Sequence, residues 1–416
     1  MSRKAVCLLS AMLVLCGLAY GVRSALDGLA LRGCDLSLRI HEVQCAHTGV
    51  NPFDVWERTV EVPGFYGHDR PDMENVPAQD RVGKHEVHAY PPWHTTFFWF
   101  YGWLPPAISA VLLCIACGVS VVFIGKAVKR RVSSLEGAKQ AFVWAWIFAM
   151  LFGKFVCVFA YLQYGIVLAG LALLMYDSLD KGRDWAAAVC WALIMVKPQV
   201  GALFFFPLLF GGKYRVILLT GAICFLATLW PAWVYRESPL RLILDIPKIG
   251  APYAKGPIVE KVLAPLIGNG AVFVWAGACA AVCAAGSWMF RKSDSWLVRT
   301  LPVMWIFPLW TYSHVYDHVV AWSLVFAWGR AIAGAGEDRL APSARKILRV
   351  CTGAEMLWLL FSSGWHLGIA ARLFNPSGIG WIYASAETVL AWTVVPAVLF
   401  FVLLPAPRAR APLTAP

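Results

Sequence analysis

Apolar runs long enough to cross a membrane recur along this chain, separated by short basic segments, and one long polar segment interrupts them near the start. A helix rising about 1.5 Å per residue needs about 20 apolar residues to cross a hydrocarbon core of about 30 Å. Runs of that kind lie near 5–22, 104–125, 141–158, 162–178, 215–234, 264–290, 296–313, 319–335, 347–366 and 381–404, which predicts about ten full spans. Between 184 and 212 the pattern changes. Two half-length apolar pieces, AAAVCWALIMV and VGALFFFPLLF, flank Lys197-Pro198-Gln199, and each is too short to cross alone. They predict a broken or re-entrant helix pair. The aromatic run from Phe97 to Trp103 is also short and reads as an interfacial belt or re-entrant turn. The expected fold is an all-α polytopic membrane protein, a single integral membrane domain over 1–416, with a long outer loop at 23–94.

Composition supports that class and sets an orientation. The chain is 59% hydrophobic and 14% charged, whereas soluble domains carry about 25% charged residues. Its net charge of +12 is concentrated in Arg3/Lys4, Lys126–Arg131, Lys181/Arg183, Lys213/Arg215, Arg291/Lys292, Arg345/Lys346 and Arg408/Arg410. With the predicted span count these clusters fall on one side, so they mark cytoplasmic loops rather than a nucleic-acid surface. The loops at 23–94 and 236–262, the corner at 313–318 and LFNPSG at 373–378 then face outward, placing the protein in the cell membrane with its polar loops extracytoplasmic. The N-terminal run fits either a signal peptide or a first span, and both export the following loop. Most of the 12 cysteines sit in apolar runs as small hydrophobes. Cys34 and Cys45 lie in the exported loop, where they are free to pair.

The cytoplasmic loops are too short to hold a Rossmann or P-loop domain. A nucleotide-dependent reaction is thereby disfavoured, and an activated substrate carried in the membrane, such as a lipid-linked donor, fits the constraint. No cofactor is expected.

Several polar residues stand out against the apolar background. Asp35 lies four positions before Arg39, a spacing that puts both on one helical face; they read either as a solvated ion pair or as part of a site. Lys197 sits between the two half-helices, where charge is costly; it either faces a polar cavity or snorkels to an interface. Gln199 offers a donor and an acceptor at the same break. His314 and His318 share a helical face in SHVYDH. With no HExxH and no strong third ligand beside them, hydrogen bonding or charge stabilisation is preferred to zinc, and no metal site is assigned. Asp69 and Asp72 read as solvated carboxylates, and Lys154, Glu355 and Glu387 as lining a cavity or forming buried pairs.

Together, an outer-loop Asp35 after the first span, the GVNPF turn, the Tyr90-Pro91-Pro92 segment, Leu162-Gln163 and the Lys197-Pro198-Gln199 break resemble the C-type glycosyltransferases of family 87, the group that includes phosphatidylinositol-mannoside mannosyltransferases. The likeness runs from about residue 5 to 335. Two positions depart: Leu162 stands where members often have Gly, and Phe53 where they have Tyr. The resemblance implies transfer of a sugar, mannose or a similar hexose or pentose, from a polyprenyl-phosphate donor to a lipid or glycan hydroxyl on the outer face, with inversion and without a metal. It implies Asp35 as general base, with Lys197 and the His314/His318 corner near the donor phosphate, and Arg39, Tyr90, Gln163 and Gln199 in the substrate site. Such chemistry needs a positioned base and cations for a leaving phosphate. The alternative class is a transporter or lipid flippase, which also uses broken helices with a mid-membrane lysine but often shows repeated halves, absent here.

Overall fold

A computed structural model describes residues 34–47, 49, 51–52, 90–132, 158, 162–250 and 263–310, with isolated positions between 7 and 18 and at 342. Every regular element among these residues is helical. The expected spans at 141–158, 319–335, 347–366 and 381–404, and most of that at 5–22, lie outside the described residues.

Within the polar segment near the start of the chain lies helix α1, Cys34–His47. Next, α2 (Pro92–Phe97) starts on a proline at its first turn, where a missing N–H costs nothing. A 3₁₀ turn at Trp99–Gly102 follows. The first long helix, α3 (Pro106–Val132), ends in a basic cluster. Then come α4 (Gly165–Asp180), α5 (Asp184–Ile194), a short helical stretch α6 (Pro198–Phe210), and α7 (Tyr214–Tyr235). An amphipathic helix α8 (Pro239–Gly250) precedes α9 (Ala271–Phe290), Trp296–Arg299 and α10 (Leu301–Trp310). Among the described residues three helices are long and apolar enough to cross a bilayer: Pro106–Ala127 within α3, then α7 and α9. Residues such as Ile115, Val119, Leu218, Leu226 and Phe273 point outward from them, as lipid-facing positions require.

The core is centred on α4, whose Ile166, Leu173, Met175 and Tyr176 are fully buried. Small residues let neighbours approach it. A Cβ on Gly170 would lie 2.9 Å from Ser120 Cβ, and one on Gly286 would lie 2.9 Å from Pro302 Cβ. Lipid gives helices no hydrophobic drive to associate, so close contact of this kind replaces it.

The chain breaks between Ile194 and Pro198. Lys197, with φ −112° and ψ 89°, leaves the helical region, as the residue before a proline tends to do. The two halves return as a hairpin whose base is closed by Lys213 Nζ and Asp184 Oδ1 at 3.0 Å. At about 1.5 Å per residue, the 11 residues of α5 rise about 16 Å, so the tip carrying Lys197 reaches about half the depth of a bilayer core. Carbonyls freed by the break are recovered by indoles: Trp93 Nε1 donates to Met195 O at 3.1 Å and Trp191 Nε1 to Gly201 O at 2.9 Å. That recovery is what apolar surroundings demand.

A second proline makes a similar demand. Pro231 lies inside α7 and has no N–H for the carbonyl of Ala227, one turn earlier. The hydroxyl of Thr96 donates to Ala227 O instead. This bond ties α2 to α7 beside the site.

Candidate functional site

Among the described residues, the buried Arg39, Glu42, His94, Gln163 and Lys197 collect where α1, α2, the start of α4 and the hairpin tip meet. From α1 come Arg39 and Glu42, 7% and 3% exposed, joined as an ion pair three positions apart. From the start of α2 comes His94, 1% exposed, with Nδ1 3.5 Å from Glu42 Oε2 and Nε2 3.2 Å from the Tyr164 hydroxyl. Tyr90, just before α2, donates from its hydroxyl to Gln163 Oε1 at 3.4 Å. The hairpin tip supplies Lys197, 2% exposed.

Tyr90 is the hinge of this arrangement. The Arg39 guanidinium carbon lies 4.0 Å from its ring centroid and Lys197 Nζ 5.9 Å from it. Both distances are within the range at which a cation is attracted by an aromatic quadrupole. Two buried cations, one from α1 and one from the hairpin tip, thus share one aromatic partner, with the Glu42 carboxylate offsetting part of their charge. Buried charge persists only where such partners exist.

Aromatic rings wall the cluster. Phe98 stacks on Tyr164 with centroids 4.9 Å apart, and Tyr90 lies 4.7 Å from His94. Tyr101 and Tyr164 share a hydrogen bond, and burial pushes the Tyr101 phenol up to about 12. At neutral pH that phenol therefore stays uncharged and keeps its proton for hydrogen bonding.

The segment leading into α4 carries an unusual backbone. Leu162 has φ +53°, a region that costs a branched L-residue about 1–2 kcal/mol. The next residue, Gln163, is turned inward by this geometry, and its N–H donates to Val158 O at 3.0 Å.

Of the residues expected from sequence, Arg39, Tyr90, Gln163 and Lys197 come together here. Gln199 stands two residues beyond Lys197 in the first turn of α6, half-buried. Asp35 lies in the first turn of α1, one turn before Arg39; its side chain is outside the described residues. So are His314 and His318, the side chains of Cys34 and Cys45, and Phe53. Sequence reasoning gave no role to Glu42, His94 or Tyr164. For Glu42 a signal existed, its i,i+3 spacing from Arg39; for Tyr164, adjacency to Gln163 in a polar break between apolar runs. Among the described residues no three His, Cys, Asp or Glu side chains are grouped closely enough to hold a metal ion.

The arrangement is suited to holding an anionic group. Arg39 and Lys197 supply charge, Tyr90 and Gln163 supply hydrogen bonds, and the surrounding rings exclude water, which strengthens each of these interactions. A family model described as glycosyltransferase family 87 matches residues 88–307, more than half of the chain. The match includes Tyr90, His94, Gln163 and Lys197, and begins after Asp35 and Arg39. No curated protein and no solved structure matches the chain.

Proposed function

The chain belongs to glycosyltransferase family 87, and from that premise we propose that it moves a sugar, mannose or a similar hexose or pentose, from a polyprenyl-phosphate donor to a lipid or glycan hydroxyl on the outer face of the cell membrane, with inversion at the anomeric carbon. The observation that carries this reading is the convergence of Arg39 and Lys197 on the Tyr90 ring, at 4.0 and 5.9 Å, beside the Tyr90–Gln163 hydrogen bond. Leaving-group departure from a polyprenyl-phosphate sugar places negative charge on a phosphate. Buried cations already fixed in position stabilise that charge without reorganisation.

In this proposal Asp35 is the general base. It accepts the acceptor hydroxyl's proton as that oxygen bonds to the anomeric carbon, while the bond from the anomeric carbon to the phosphate oxygen breaks and the polyprenyl phosphate leaves with the electron pair. Arg39 and Lys197 bind the departing phosphate, and Tyr90, Gln163 and Gln199 orient it. The His314/His318 corner, outside the described residues, is proposed to complete the phosphate site. Glu42 and His94 are positioning residues: the carboxylate holds Arg39 on one side and approaches His94 on the other.

The test is transfer by purified protein in lipid vesicles, supplied with radiolabelled polyprenyl-phosphate mannose, glucose or arabinose and a panel of lipid and glycan acceptors. Label passing from one of these donors to an acceptor is the expected result. A protein that leaves every donor intact but carries it across the bilayer would instead be a flippase.

A further inference from the structure

An open cleft of about 1270 Å³ lies between the C-terminal ends of α1 and α7 and the Trp99–Gly102 turn. Four tryptophans line it: Trp99, Trp103, Trp230 and Trp233. Three of these indoles are 53%, 71% and 78% exposed at Trp99, Trp103 and Trp233, which is far more open than the walls of the phosphate-like site. His47 anchors the floor. Its Nε2 lies 3.0 Å from Trp99 O, and its ring stands edge-on to Trp103 at 4.9 Å and to Trp230 at 5.9 Å. A Cβ on Gly102 would come within 2.7 Å of the imidazole, so a larger residue there would have to displace the His47 ring.

The rim is polar and balanced in charge. Arg236 and Glu237 line the cleft, and Arg241 Nη1 donates to both oxygens of Glu237 at 2.9 and 2.8 Å. Arg236 is held in the left-handed region at φ +56° where α7 ends, a position usually given to glycine.

We propose that this cleft binds a neutral glycosyl unit of the acceptor, so that the enzyme extends an existing glycan rather than a bare lipid hydroxyl. The proposal rests on the glycosyltransferase reading above. Flat, exposed indoles suit the C–H face of a sugar ring, and the charged rim suits its hydroxyls. A phosphate is a poor match, because the carboxylates of Glu237 and Asp245 offset the guanidinium groups of Arg236 and Arg241 at the rim. A polyprenyl chain is a poor match as well, because the charged side chains of Arg236 and Glu237 line the cleft beside its indoles. Its distance from the reacting centre also fits. Asp35 and His47 stand 12 residues apart on one helix, about 18 Å by helical rise, so the cleft would take a sugar further along the acceptor than the one that reacts.

The experiment uses the full chain in nanodiscs and a panel of oligosaccharides of one to four mannose, glucose or arabinose residues. Binding is read by tryptophan fluorescence and by saturation-transfer NMR, with polyprenyl-phosphate mannose as the donor-site control. A saturable response to one of the longer oligosaccharides is expected, about tenfold weaker or more in the W103A/W233A double variant, with donor binding unchanged. In turnover, the same variant should raise KM for a lipid acceptor bearing several sugars and leave KM for a single-sugar acceptor as it was. No oligosaccharide binding, or binding indifferent to the two substitutions, overturns the proposal and leaves the indoles as an ordinary interfacial belt. Cleft-dependent oligosaccharide binding by a protein that transfers no sugar would overturn the transferase reading while the cleft's sugar binding stood.

Discussion

At the scale of single residues, buried charge and one strained dihedral make the sharpest statements. Lys197 is 2% exposed at the hairpin tip, and the proposal makes it a phosphate partner. Lys197→Met keeps the length and apolar stem but removes the charge, so donor affinity or turnover should fall about 10–100-fold, the worth of one charge-assisted hydrogen bond, while the protein still accumulates in membranes. Unchanged kinetics would make it a structural cation of the Tyr90 ring. Leu162 yields a prediction of order rather than size. Its φ of +53° penalises any residue with a Cβ, so Leu162→Gly should be at least as stable as Leu162→Ala, judged by thermal unfolding in detergent. An alanine variant clearly more stable than the glycine variant would mean that no strain resides there.

At the scale of elements, the joint between α2 and α7 depends on a carbonyl that a proline has freed. Thr96 donates to Ala227 O because Pro231 cannot. Thr96→Val removes the hydroxyl with little change of shape and should cost about 1–3 kcal/mol, the penalty of an orphaned buried acceptor. In a Pro231→Ala background the helix supplies its own N–H, and the same substitution should cost much less. Equal losses in both backgrounds, measured by unfolding midpoints, would show that the carbonyl has another donor. This joint was not legible in the sequence, because Thr96 and Ala227 are paired only by the fold. The hairpin break was legible, since a lysine and a proline interrupting two half-length apolar runs leave few alternatives. Of the site, Arg39, Tyr90, Gln163 and Lys197 could be picked out as polar residues in apolar surroundings or at turns. His94 could not be given a role, and Glu42 only through its spacing from Arg39, because what distinguishes them is the partners that burial forces on them. The tryptophan cleft was hidden for a related reason: in sequence Trp99 and Trp103 read as part of an interfacial belt or re-entrant turn and Trp230 and Trp233 as part of an apolar span, and their concavity arises where α1, α7 and the Trp99–Gly102 turn meet.

At the scale of the whole molecule, α7 separates two kinds of surface. One end begins beside Lys213 and the Asp184 ion pair, and the other ends at Arg236 and the tryptophan cleft. Twenty-two residues of helix span about 33 Å, enough to put these ends on opposite sides of a bilayer core. In the orientation proposed from the basic clusters, the Lys213 end is cytoplasmic. A cysteine at Asp72, in a cysteine-depleted background, should therefore react with a membrane-impermeant maleimide from outside intact cells. Labelling only after the cells are opened would reverse the orientation and remove the outer-face reaction. The central claim is a sugar transfer with Asp35 as its base, and the most direct measurement compares wild-type with Asp35→Asn, purified, for both turnover and polyprenyl-phosphate donor binding. Asparagine keeps the shape but accepts no proton, so transfer should fall about 10²–10⁴-fold with donor affinity retained. Near-normal turnover by Asp35→Asn would contradict the account and leave Asp35 as a residue that merely accompanies Arg39 on α1.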